Sequence, residues 1–161
     1  MDLQTAYQSA ILPALELLPV QMRSPEATVM LLSIGQQESR FEYTRQLGNG
    51  PAKGYWQMEK GGGVKGVCEH PSSRFWMSHL CEARKVPFTV SAVYDALEFD
   101  EVLAAGAARL LLFTDPAKLP QTDAESLAWM LYLRVWRPGK PRPDTWSEYH
   151  RNAENFVKGM Q

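Results

Sequence analysis

Cysteine is nearly missing from this sequence: Cys68 and Cys81 are the only two in 161 residues. A disulfide framework is thereby excluded as the organising principle, and a single bridge is the most that can form. An excess of charge is missing too, since 17 Lys and Arg against 18 Asp and Glu leave a net charge of -1. That balance removes broad, sequence-independent attraction to nucleic acid or anionic lipid, so neither is an expected partner. No apolar run approaches the roughly 20 residues of a membrane span. The start, Met1-Asp2-Leu3-Gln4, has neither the basic nor the apolar part of a secretory signal. No internal repeat or linker divides the chain. What is present, 45% hydrophobic and 22% charged residues, is the composition of one soluble globular domain over residues 1–161, expected to be a monomer.

Apolar residues recur at helical spacing along most of the chain. A first helix carries Ala6, Tyr7, Ala10, Ile11, Ala14, Leu17 and Leu18, with Pro13 as a kink and Pro19 as its end. Ser24-Pro25-Glu26 opens a second, with a hydroxyl cap, proline at the first helical position and an acid in the first turn. Glycines at 48, 50, 54, 61, 62, 63 and 66 deny a regular helix from Arg45 to Gly66 and favour turns or a small hairpin. Further helices follow over Pro71–Lys85, around Val90–Leu97, from Asp100, from Thr122 and around Trp146–Val157. Gly106 marks a close helix approach, Thr122-Asp123-Ala124-Glu125 a capping box, and Pro138-Gly139 a stop. The expected fold is mainly α, about seven helices with a small glycine-rich hairpin or loop.

One residue breaks the pattern. The stripe Ala27, Leu31, Ile34 continues at the same spacing to Glu38 and Phe41, so a carboxyl group stands where an apolar side chain is expected. Burial disfavours the ionised form and raises the pKa, which suits a general acid near neutral pH. The competing reading is a surface residue at a frayed helix end, paired with Arg40 or Arg45.

Glu38-Ser39-Arg40-Phe41 resembles the Glu-Ser-x-Phe signature that ends the catalytic helix of soluble lytic transglycosylases and goose-type lysozymes. Gly50-Pro51-Ala52-Lys53-Gly54-Tyr55-Trp56-Gln57-Met58 resembles their second motif, Gly-Leu-Met-Gln or Gly-Leu-Phe-Gln after a glycine. The segment Ala128 to Gly139 stands where that family has an Ala-rich helix and a Tyr-Asn-Ala-Gly-like turn. Tyr132 matches the family tyrosine, Leu133 replaces its asparagine, and Trp136 or Arg137 takes the equivalent space. The resemblance implies a lysozyme-like fold and peptidoglycan glycan strands as substrate, with Glu38 catalytic. It implies Ser39, Gly54, Tyr55, Gln57, Tyr132 and Trp136 as substrate-binding residues. Gly54 would let backbone approach a ligand, Gln57 offers donor and acceptor, and Tyr55 and Trp56 offer flat faces, the core being the competing place for either aromatic.

Glycosidic cleavage commonly uses two carboxylates. Glu42, Glu59 and Glu69 are the candidates for the second, and none is placed convincingly by spacing. The resembled transglycosylases manage with one glutamate, which favours them over a hydrolytic lysozyme. A lysozyme-like virion structural or ejection protein without activity is a further alternative. So is a partner-binding module exposing Trp129, Trp136 and Trp146. Cys68-x-His70 and His79-x-Cys81 have the wrong spacing for zinc, and no metal or cofactor is expected. Without an export signal, the expectation is synthesis in a host cytoplasm and action in the periplasm or cell wall after lysis, or within a bacteriophage particle beside other virion proteins.

Overall fold

The computed structural model describes residues 1–160 and is mainly helical, with no β-strand among them. Asp2 caps α1 (Leu3–Ala6), accepting from the Thr5 N–H at 2.8 Å. Ahead of Pro13 the first helix departs from α geometry: the chain passes through a π-helical turn, Tyr7–Ile11, into α2 (Leu12–Glu16). The Leu12 N–H reaches the Tyr7 carbonyl there, and the widened turn accommodates a residue that has no N–H to give. Ser24 caps α3 (Pro25–Ser39) as its sequence suggests, with Oγ accepting from the Ala27 N–H.

The glycine-rich stretch divides. Residues 45–58 form a tight irregular turn region with isolated antiparallel bridges, Arg45 to Lys53 and Lys53 to Met58. From Lys60, glycines 61, 62 and 63 lie in an irregular π-type turn, Lys60–Val64, broken by the non-helical Gly62 (φ -106°, ψ -107°), and Gly66 lies in α4 (Lys65–Glu69). The expectation that the glycines deny a regular helix holds through residue 63 and is corrected at Gly66 alone, because glycine weakens a helix by only about 1 kcal/mol and the buried Val67 anchors α4. The remaining elements are α5 (Arg74–Arg84), α6 (Val90–Ala96), α7 (Glu101–Phe113), α8 (Glu125–Trp136) and α9 (Pro143–Gly159). Asp100 caps α7 by accepting from the Leu103 N–H. The capping box at Thr122 does not form: α8 begins after Ala124, without a side-chain cap. It ends at Trp136, with Arg137 left-handed (φ 50°), one residue before the Pro138 stop.

Two helices are buried on nearly every side, α3 from Ala27 to Gln36 and α7 from Val102 to Leu112. Such helices are apolar all round and form the centre of a domain. Helix α7 packs on α5, α2 and the π turn, while α3 runs against α9. Gly106 takes its expected part, since a Cβ there would sit 2.6 Å from Leu80 of α5. Polar ties lock α3 to α9: Gln36 Nε2 donates to the Tyr149 carbonyl (3.0 Å), and Thr145 Oγ1 donates to Gln37 Oε1 (2.9 Å). No helix among the described residues is long and apolar enough to cross a membrane.

The buried Phe41 ring folds back over α3 and occupies the space that a side chain at Gly35 would need, a Cβ there lying 2.0 Å from its Cζ. Gly35→Ala gains about 1 kcal/mol of helix propensity but overpacks the core at a cost of about 1–3 kcal/mol. Thermal unfolding should show a lower midpoint for Gly35→Ala and no loss for Gly61→Ala, where the added methyl meets open space.

Candidate active site

Helix α3 carries Glu38 in its last turn, and the chain then makes a sharp exit through two left-handed residues, Arg40 (φ 52°) and Phe41 (φ 55°). Non-glycine residues in this region are strained. Four of the six in the described chain, Arg40, Phe41, Gln57 and Arg137, stand around this end of the molecule. Backbone strain of this kind persists where the surrounding packing over-determines it.

Glu38 is largely buried, and its Oε2 accepts from the Tyr132 hydroxyl of α8 at 2.5 Å. Burial pushes its pKa up from 4.5 to about 7, against a downward pull from the Tyr132 bond. Tyr132 is itself driven upward, by burial and then by the Glu38 charge, so it keeps its proton and remains the donor. The proton of neutral Glu38 is therefore left to the other oxygen, Oε1. The surface ion-pair reading fails on geometry: Arg40 pairs with Glu42 (3.3 Å) and Arg45 lies beside Glu98 (4.0 Å). No other carboxylate contributes to the Glu38 environment among the described residues. Glu42, Glu59 and Glu69 are exposed, and none of them touches it.

Tyr132 is positioned by aromatic packing. It stacks on the buried Trp146 of α9 (5.1 Å, 12° between planes) and lies 5.5 Å from Trp129. The exposed aromatic surface considered for Trp129, Trp136 and Trp146 is thus corrected: Trp146 is core and the other two are half-buried. Trp136 donates Nε1–H to the Trp56 carbonyl (2.8 Å), tying α8 to the loop that bears Gln57. Trp56 is itself a core aromatic, its Nε1–H donating to the Leu31 carbonyl (2.8 Å). Tyr55 is half-buried and lies edge-on to Phe41.

Two expected sugar contacts are structural instead. Ser39 is buried, and its hydroxyl donates to the Tyr55 carbonyl (2.7 Å) while accepting from the Phe41 N–H (3.1 Å). It clamps the loop to the helix and does not reach a ligand. Gly54 (φ 80°) is buried against the Leu97 carbonyl and Ala104 of α7, so its missing side chain admits protein, not substrate. Gln57 does line an open cleft. Its Nε2 donates to the Gly54 carbonyl (2.9 Å), and with Trp136 it lines a cleft of about 620 Å³ between the 58–66 segment and the end of α8. Glu38 is not one of the cleft walls; it meets α8 at Tyr132, one turn before the cleft-lining Trp136.

No family model, curated protein or solved structure matches the chain. Its site must therefore be read from its own geometry. Tyr43, which periodicity cannot find because it lies in the loop after α3, donates its hydroxyl to the Glu38 backbone carbonyl at 3.0 Å. Cys68 and Cys81 are free and buried, each thiol pushed up to about 11 by burial, hence unreactive.

Because Glu38 binds its proton more tightly folded than unfolded, its contribution to stability is fully present below about pH 4.5. It is lost as pH rises to about 7. Buried His150, with its pKa lowered by burial, works in the opposite sense, so the two are separated by comparing variants. Glu38→Gln should gain stability over the parent between pH 4 and pH 8, by about 3 kcal/mol. Chemical denaturation at the two pH values checks this, and an equal difference at both contradicts it.

Proposed function

We propose that this protein is a peptidoglycan-cleaving muramidase of the lytic transglycosylase type, with a lysozyme-like fold, cutting the β-1,4 bond between N-acetylmuramic acid and N-acetylglucosamine. The observation that carries the reading is a buried carboxyl group with a pKa of about 7, held on one oxygen by a tyrosine hydroxyl. A carboxylic acid at that pKa is protonated often enough near neutrality to donate, and its conjugate base is strong enough to take a proton back.

In this scheme the strand lies along the cleft by Gln57 and Trp136 and passes Glu38. Glu38 gives its Oε1 proton to the glycosidic oxygen as the bond to the anomeric carbon breaks. The carboxylate formed then removes the proton of the muramic acid 6-hydroxyl, whose oxygen closes on the same carbon. The proton returns to Glu38, and the product carries a 1,6-anhydro ring with no water consumed. Tyr132 stabilises the transient carboxylate by the bond it already makes, and Trp136 and Tyr55 offer partly exposed faces to the sugar rings. The absence of a second carboxylate acting on Glu38, among the described residues, supports this one-acid route over the hydrolytic one.

Clearing of permeabilised bacteria by the purified protein tests the reading. Glu38→Gln, which keeps the shape of the side chain but cannot donate a proton from it as an acid, should lower the rate by about 100-fold or more. Mass analysis should find fragments ending in anhydromuramic acid, each lighter by one water than a hydrolysis product. Undiminished clearing by Glu38→Gln, or no clearing by the parent, overturns the reading. Ordinary reducing ends replace it with a hydrolytic lysozyme.

A further inference from the structure

Away from Glu38, a second recess of about 610 Å³ lies between the start of α3, the end of α7 and the segment from 115 to 121. Arg109 forms part of its wall, yet that residue is only 5% exposed. A buried guanidinium normally stands against a carboxylate, because an unpaired charge is costly to desolvate. Here none acts on it among the described residues: Asp115 lines the same recess but is bonded to Arg134 at 2.9 and 3.1 Å. Burial alone acts on the group and pulls its pKa down to about 10. Nε donates to the Met22 carbonyl at 3.0 Å, which uses one of the five N–H donors of the fork. The two terminal nitrogens, the pair that grips a planar oxyanion by parallel bonds, are left to the recess.

The rest of the wall narrows the ligand. Leu112 and Phe113 make one side apolar, and Ser24 brings the positive end of the 15-residue helix α3. Glu26 and Asp115 stand on the same wall, with Lys118 also lining it, and the two acids oppose a doubly charged anion. We propose that this recess binds a singly charged carboxylate carried on a small apolar body, such as the C-terminal residue of a peptide, with Arg109 as its anchor. The site is separate from Glu38 and does not depend on the reaction assigned to that residue.

Backbone-amide NMR titrations with N-acetyl-alanyl-alanine, its C-terminal amide and inorganic phosphate test the assignment. The free acid should give saturable shifts centred on Gln21, Ser24, Leu112 and Ala117, with the amide and phosphate weaker by about tenfold or more. Arg109→Gln should weaken the acid to the same degree. As replacing a buried side chain can unfold a protein, Ala117→Trp, made on the exposed segment at the mouth, provides a second block. Glu38→Gln should leave binding unchanged. Failure of the acid to saturate, equal binding of the amide, tighter binding of phosphate, or binding that survives a folded Arg109→Gln or Ala117→Trp overturns the proposal.

Discussion

Desolvation of the Glu38 carboxyl group is the constraint on which the arrangement at the end of α3 depends. A carboxylate in an apolar setting must find a partner, reach water or take up a proton. Neither of the nearby arginines is spent on Glu38, for one pairs with Glu42 and the other leans toward Glu98. Among the described residues, the one side-chain bond it receives comes from Tyr132, a neutral donor that leaves the group able to hold a proton near pH 7. An arginine in the same place would have fixed it as a permanent anion.

That balance requires three separate chain segments to be held in register. Helix α3 is fixed by its amide ties to α9, α9 presents Trp146, and Trp146 stacks on the tyrosine that meets the acid. Ser39 and Trp136 then fasten the 54–58 loop to α3 and α8 through backbone carbonyls, those of Tyr55 and Trp56. The strained exits at Arg40 and Phe41 are the local consequence: the chain must turn at once so that the Phe41 ring can fold over Gly35. Rigid support of this kind is what a general acid needs, because misplacement of a proton donor costs rate steeply.

Much of this was legible in the residues. Glu38 was found because a helical stripe predicts orientation, and a carboxyl group on the inward side is conspicuous whatever its partners. The caps at Ser24 and Asp100 and the close approach at Gly106 are equally local and hold in the structure. Ser39 and Gly54 were assigned to the ligand because a motif gives residue types and no directions; burial decided otherwise. Tyr43 was invisible because its position depends on the left-handed turn after Ser39. Thr122 failed as a cap because α8 starts later than its side chain can reach. Arg109 lies within an otherwise apolar helix, and pattern alone does not reveal that its charge goes unpaired.

The recess at Arg109 and the acid at Glu38 illustrate two outcomes of burying charge. The carboxyl group escapes by protonation, whereas a guanidinium, protonated across the physiological range, keeps its charge at the wall of the recess. For the acid, the most direct measurement is a carbon-detected NMR titration of its side-chain carboxyl in the folded protein. The account predicts a midpoint of about 7. A midpoint near 4.5, the ordinary glutamate value, would contradict it, because the group would then be a carboxylate at working pH with no proton to give.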